Sequence, residues 1–422
     1  MCRRRDVLSA SNKGPYALGS AAMKREPVIV VGGGPAGLAL ATNLLLRDVA
    51  VVVVETEPKL PHDLRAGTFH PPTMEMLGEL GVVEQFLAIG IRVPRWQIRG
   101  YSEGVIVEWD LSLIADLTPY PFRFHCEQFK LTPLLLKRFK ELGGEVRFAH
   151  TFRDAAQDED GVSVEIETPG GSELLRASYV VGADGGRSAV RQTMGVAFEG
   201  FTWPERFIVI GTEYDLAPHG FTANAYIADP VDWGAIFKMP GDTPQGLWRI
   251  LFPTDAEIPE EEVLNEDAVE ERLQRFLPRP ERYRVEAKST YRVHQRVASE
   301  FRKGRLLLVG DAAHINNPLG AFGLNGALHG AFNLAPKLAA VWRGEAEDSL
   351  LDKYVRQRRA ANVEFVQAQS ISNKRLLEER DPAVRTQHFD ELRRTGADPA
   401  RAREYLIRSS MIWSVRRAAS VE

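Results

Sequence analysis

Three groups of residues have the types and spacing for chemistry on a large, flat, anionic ligand. The first is Gly32, Gly34 and Gly37, with Pro35 and Ala36 between them and Glu55 about twenty residues further on. Glycines at a strand-to-helix turn let backbone approach a pyrophosphate, and the N–H groups of the helix start can bind its oxygens. An acidic side chain ending the next strand can accept from a ribose hydroxyl. The second group is Asp311, Pro318, Gly323, Leu324 and Asn325, in GRLLLVGDAAHINNPLGAFGLN. An aspartate just past a strand end sits where open α/β sheets bind ligands. The glycines of that loop admit a flat ring and Pro318 stiffens the approach. The unpaired N–H groups from Gly323 to Asn325 suit a ring that becomes anionic on reduction, though an ordinary strand, loop and helix with Asp311 as a cap would read the same way. The third group is Asp184 with Arg187 and Arg191, in YVVGADGGRSAVR. Either the acid and an arginine pair to fix the turn, or the arginines meet the phosphates of an incoming nucleotide.

These residues need elements to hold them. PVIVVGGGPAGLALATNLLLRDVAVVVVETEP has the pattern of a strand, a glycine turn, an amphipathic helix and a second strand, a dinucleotide-binding unit. After 325 the apolar residues Ala327, Leu328, Ala331, Leu334 and Leu338 follow helical spacing, with Pro336 expected to bend the helix. His329 in that helix has no second ligand at metal-binding spacing and reads as structural. Arg65, beside Ala66 and Gly67, is either free to reach a cofactor or a plain surface arginine. Gln128 stands just before a Leu-rich helix, placed to bond a ligand or to substitute for a cap. From 201 to 299 short alternating segments predict a mostly antiparallel sheet. Tyr226 and Trp248 there line an apolar pocket or are plain core, and Arg249 is the partner of an anionic substrate group or half of a surface ion pair. Residues 346–422 read as helices ending in a basic amphipathic one, expected to dock on its own domain.

Composition limits the function classes. Of 422 residues 44% are hydrophobic and 26% charged, and 53 Lys and Arg against 57 Asp and Glu leave a net charge of −4. There is no basic excess of the kind nucleic-acid binders carry, so a small-molecule partner is expected. Two cysteines, Cys2 and Cys126, cannot make a disulfide framework or a metal site, which fits a cytoplasmic protein. No apolar run approaches the ~18 residues of a membrane span. The start lacks an apolar signal region, so residues 1–22 are expected to be a disordered tail, with Met23 as the natural start.

In their fixed order, GGGPAG with Glu55, YVVGADGGRSAVR and GRLLLVGDAAH followed by PLGAFGLN closely resemble the single-component FAD-dependent aromatic hydroxylases, the p-hydroxybenzoate hydroxylase type. The resemblance covers residues 27 to about 345. It implies an α/β fold, with a Rossmann-like FAD-binding domain from 23–90, 125–200 and 300–345. A mostly antiparallel substrate domain would come from 91–124 and 201–299, and a C-terminal helical region from 346–422. FAD would lie on Gly32 to Gly37 and Glu55, with Arg65, Ala66 and Gln128 contributing. Asp184 and Asp311 would tip two turns against it, and Gly323, Leu324 and Asn325 would hold the flavin edge through backbone N–H groups. Arg65, Arg187 and Arg191 match positions associated with NADH or NADPH. Pro318, with Arg65 the catalytic candidate, matches a residue whose carbonyl faces the substrate. One departure is Gly330, where the family usually carries an acidic residue. The implied activity is a monooxygenase that uses NAD(P)H and dioxygen to hydroxylate a small phenolic aromatic through a flavin hydroperoxide, with no nucleic-acid or membrane partner and with room for a homodimer. The rivals are an FAD oxidoreductase of the same fold that does not hydroxylate, and a non-catalytic flavin-binding module. The absence of W-x-W-x-I-P argues against a halogenase.

Overall fold

The computed structural model describes residues 25–62 and 66–422, so the N-terminal stretch and Arg65 lie outside the described residues. The organising strand is Val28–Val31, four consecutive buried residues, three valines and an isoleucine. A strand covered on both faces has no polar side to present, so its pattern is continuous rather than alternating. It pairs in parallel with Val51–Glu55 on one side and Tyr179–Gly182 on the other. The six-stranded sheet runs Arg302–Lys303, Leu306–Leu308, Tyr179–Gly182, Val28–Val31, Val51–Glu55, Glu145–Phe148. Strand order reverses about Val28–Val31, which puts the ligand crevice of such a sheet just beyond Val31. Helices Pro35–Leu45 and Phe322–Arg343 pack against each other there, the second running through Pro336.

An eight-stranded sheet forms the other half. Its order is His314–Ile315, Val285–Ala298, Phe198–Thr212, Leu247–Asp255, Gly234–Met239, Asn224–Ala228, Arg95–Gly100, Gly104–Asp110. Every pairing is antiparallel except Asn224–Ala228 with Arg95–Gly100, where two separated parts of the chain meet. One face packs Trp96, Trp109 and Tyr226 with Phe389, Leu392 and Leu406 of the C-terminal helices. The other packs Trp248, Ile250 and Phe252 on the helix Glu266–Phe276. The basic helix Ile412–Ala419 lies on the chain itself, with Ile412 buried and Arg417 paired to Glu364 at 3.0 Å.

A small sheet stitches the halves together. Arg123–His125 lies between Thr68–Phe69 and Ile91–Val93, antiparallel to both. Its alternation matters: Phe124 joins the core beneath the first sheet, while Arg123 and His125 project to the opposite side. Among the described residues no helix is long and apolar enough to cross a membrane, and no His, Cys, Asp and Glu cluster could hold a metal ion.

Candidate active site

At the glycine turn the geometry excludes side chains where backbone must pass closely. Gly32 has φ 108°, and a Cβ there would lie 2.4 Å from the Ala183 carbonyl oxygen. A Cβ on Gly37 would lie 2.0 Å from the carbonyl oxygen of Gly32, whereas Gly34 faces open space. The helix Pro35–Leu45 starts with Pro35 in its first turn and has no side-chain cap. Glu55 is buried, its Oε2 accepting from Gly33 N at 2.6 Å and its Oε1 from Glu57 N at 2.8 Å. Gln128 opens the helix Gln128–Glu141 as its first residue, and its N–H donates to the Ala66 carbonyl at 3.0 Å. We expect Gly37→Ala to weaken FAD binding by ~10- to ~100-fold, the ~1–3 kcal/mol typical of overpacking. Fluorescence of released FAD on dilution measures this, and wild-type retention would show that the turn gives way.

Asp184 points mainly at structure. Its Oδ2 accepts from Ala189 N at 2.7 Å and Val190 N at 3.2 Å, holding the start of helix Ala189–Met194, while its buried Oδ1 has no partner. Burial raises its carboxyl above the usual range. Arg191 is also buried: it donates to the carbonyls of Ala312 at 2.9 Å and Gly186 at 2.7 Å, with its guanidinium 3.8 Å from the Phe198 ring centroid. That placement makes Arg191 a brace between the Asp184 turn and the Asp311 turn rather than a hand for a visiting nucleotide. Arg187 is exposed, as that role requires.

Past Asp311 the chain makes the loop that precedes the long helix. The Pro318 carbonyl accepts from Ala321 N at 2.9 Å, closing a turn. Ala321 sits at φ 58°, a left-handed conformation that alanine adopts only where surroundings impose it. The helix Phe322–Arg343 begins without a side-chain cap, so the N–H groups at Gly323 and Leu324 have no acceptor within the helix, while that of Asn325 makes the first helical bond, to the Ala321 carbonyl. The Asn325 side chain rivets this start. Its Oδ1 accepts from His70 N at 2.8 Å and Thr73 Oγ1 at 2.6 Å, and its Nδ2 donates to the Thr68 and Ala321 carbonyls at 2.9 and 2.7 Å. His70 Nε2 donates to the Gly320 carbonyl at 2.8 Å.

The substrate candidates separate by face. The Tyr226 hydroxyl accepts from Gly320 N at 3.2 Å, so it reaches the loop. Trp248 does not. It stands on the opposite face of the sheet, its Nε1 donating to Asp215 at 3.1 Å, and packs over the helix Glu266–Phe276. Period-two alternation turns Arg249 to the Tyr226 side instead, but there it meets buried Glu127 at 3.9 Å and is balanced by it. The buried guanidinium on this side that sequence reasoning missed is Arg123, 1% exposed, with Nη1 donating to Asn224 Oδ1 at 2.5 Å. Its signal was an arginine and a histidine alternating with phenylalanine in FRFH.

Comparison with known proteins places this arrangement. The model of the family described as "FAD binding domain" matches residues 25–369. The chain is 36% identical over 386 residues to para-nitrophenol 4-monooxygenase of Pseudomonas sp. (strain WBC-3), covering 90% of this chain and 94% of that one. The chain belongs to the FAD-dependent aromatic hydroxylases. This hydroxylase is also 33% identical to 6-hydroxy-3-succinoylpyridine 3-monooxygenase of Pseudomonas putida (strain DSM 28022 / S16), over 85% of this chain and 90% of the relative. The crystal structure of p-nitrophenol 4-monooxygenase from Pseudomonas putida DLL-E4 superposes with a TM-score of 0.87 at 35% identity, covering 93% and 98% of the two chains. A flavin-dependent monooxygenase in complex with FAD and substrate superposes at 0.75, with 26% identity and 93% and 72% coverage. FAD is the hydroxylase's cofactor, and the site fits it: Gly34 is open, both helix starts are uncapped, and no Cβ fills the turn.

Proposed function

We propose that the hydroxylase oxidises NADH or NADPH and uses dioxygen to hydroxylate a small phenolic ring held between the Tyr226 face of the large sheet and the loop from Pro318 to Phe322. The observation that carries this reading is the Tyr226 to Gly320 hydrogen bond, which joins an aromatic wall to the loop just ahead of the uncapped helix start. When bound, FAD supplies the electron transfer and oxygen activation. The free N–H groups of Gly323 and Leu324, at the positive end of the helix that Asn325 pins, stabilise negative charge where it develops. Trp96, Tyr226 and Phe237, packed edge to face at 5.7 and 6.0 Å, keep water from the ring. The p-nitrophenol relatives make a para-substituted phenol the first compound to try.

The nucleotide side is supported by a cluster of like charges. Arg187, Arg292 and Arg296 together depress the His294 imidazole, after its burial, and Arg187 and Arg292 are exposed. Like charges gathered at a surface suit a phosphate-bearing partner. FAD-loaded protein is to be supplied with NADH or NADPH, a panel of phenols and labelled dioxygen. A phenol should speed nucleotide oxidation and leave with one labelled oxygen; no phenol doing either would end the proposal. Arg187→Ala and Arg292→Ala should each raise the nucleotide KM by roughly 10-fold, the scale of one charged hydrogen bond, with a smaller change in kcat.

A further inference from the structure

Arg123 presents an electrostatic problem that the protein alone does not solve. Its strand is the middle one of the stitching sheet, and burial leaves it 1% exposed. Its polar contact is with Asn224, at 2.5 Å, and with the Tyr226 hydroxyl nearby. Its Nε has no hydrogen-bond partner. The guanidinium lies 3.9 Å from the Trp96 ring centroid and 5.9 Å from that of Tyr226. Among the described residues no carboxylate lies within ion-pair distance of it. Lys374, Arg272 and Arg249 each have a carboxylate, from Glu205 at 2.8 Å, Asp232 at 3.1 Å and Glu127, whereas buried Arg206, Arg191 and Arg358 donate to backbone carbonyls. Among the described residues Arg123 has neither a carboxylate nor a backbone carbonyl, only an amide oxygen and a hydroxyl. A guanidinium does not lose its proton in a protein, so it stays charged. Two aromatic faces and an amide only partly replace the lost hydration, and a buried charge is ordinarily paired.

The position of this charge relative to the loop decides what would pair it. Arg123 contacts Tyr226, and Tyr226 binds Gly320, so one side chain separates the guanidinium from the loop. His70, which binds the same glycine's carbonyl, lies within its electrostatic reach. The titratable groups facing Arg123 are His70, His125, Tyr226 and Tyr405: two imidazoles that burial holds neutral and two phenol hydroxyls, with no carboxylate among them. We propose that Arg123 is the specificity anchor of the active site: the enzyme takes its aromatic substrate as an anion, with a phenolate or ring-carboxylate oxygen seated against Arg123 and Asn224. This rests on the hydroxylase reading above and adds the charge state of the ligand to it. The chain leaves the counter-ion out because the substrate supplies it.

Calorimetric titration of the FAD-loaded protein with 4-nitrophenol, 4-hydroxybenzoate and neutral 4-methylphenol tests this. For the wild type, at least one of the two anions should bind ~10-fold or more tighter than 4-methylphenol, the scale of a charge-assisted hydrogen bond. Which of the two does so separates phenolate from carboxylate. 4-Nitrophenol should bind more tightly as pH rises through its own ionisation. Arg123→Met should abolish the preference while 4-methylphenol affinity holds, and Arg123→Lys should restore part of it. Equal binding of anions and 4-methylphenol by the wild type, or undiminished anion preference in both variants, would overturn the inference. Those outcomes in a protein that takes up FAD and oxidises NAD(P)H leave the hydroxylase reading standing, whereas failure to do either removes that reading first.

Discussion

Asn325→Asp is expected to yield protein that purifies without FAD and unfolds at much lower urea than the wild type. The asparagine is 0% exposed, and all four of its hydrogen-bonding positions are used: two acceptances from His70 N and Thr73 Oγ1, two donations to the Thr68 and Ala321 carbonyls. Aspartate keeps the acceptances but turns an oxygen toward two carbonyl oxygens. If ionised, it is a buried carboxylate facing like dipoles; if protonated, one O–H serves one carbonyl and leaves the other unmet. Leaving a buried polar group unpaired costs ~1–3 kcal/mol, and an unpaired charge more. The loss is thus expected at about 3 kcal/mol or above, a large share of the ~5–15 kcal/mol that holds a typical domain together. The same bonds fix the loop at Ala321 and the start of the long helix, so FAD should be lost along with stability. Urea titration and the absorbance of the purified protein read both, and an Asn325→Asp variant with normal midpoint and full yellow colour would refute the assignment.

What could be read from the sequence was what is local. Val28–Val31, the glycine turn and Glu55 lie within a few turns of chain, where periodicity and the absence of Cβ atoms speak directly. The Asp311 turn and the long helix were legible for the same reason. The substrate side was not, because its identity depends on which residues far apart in the chain face each other. Trp248 and Arg249 are neighbours on one strand, so alternation guarantees that they part, but only the pairing with Lys238 and Phe237 says which one faces Tyr226. Likewise Arg249 and Arg123 look equally suited to an anion until Glu127 is found beside one of them. In sequence Arg191 reads as half of an acid pair or as a phosphate ligand; in the fold Asp184 acts on it only through space, and its hydrogen bonds go to two carbonyls, a choice that no residue type announces.

Lowering the pH below the histidine range should unfold the protein far more steeply than its surface carboxylates would. His70, His125 and His314 are all buried, and each is pushed from 6.5 down to about 3. Burial is the main cause for all three, followed by the charge of Arg123 for His70 and of Arg358 for His314. For His125 a bond to the Lys238 carbonyl partly opposes it. His329 is lowered in the same way by burial, then by Arg358 and His70. The direction of the effect follows from where the protons go. Below pH 6.5 the unfolded chain protonates these imidazoles while the folded one does not until about pH 3, so within that window the unfolded state binds more protons and stability falls as pH falls. Each such histidine has lost about 1.4 kcal/mol by pH 5.5, so these three together cost about 4 kcal/mol there, and His329 adds to the loss in the same direction. Urea midpoints measured at steps between neutrality and that pH should drop accordingly, and His125→Gln should remove about a quarter of the slope, since four imidazoles share it. A flat profile over this range would mean that the imidazoles reach solvent.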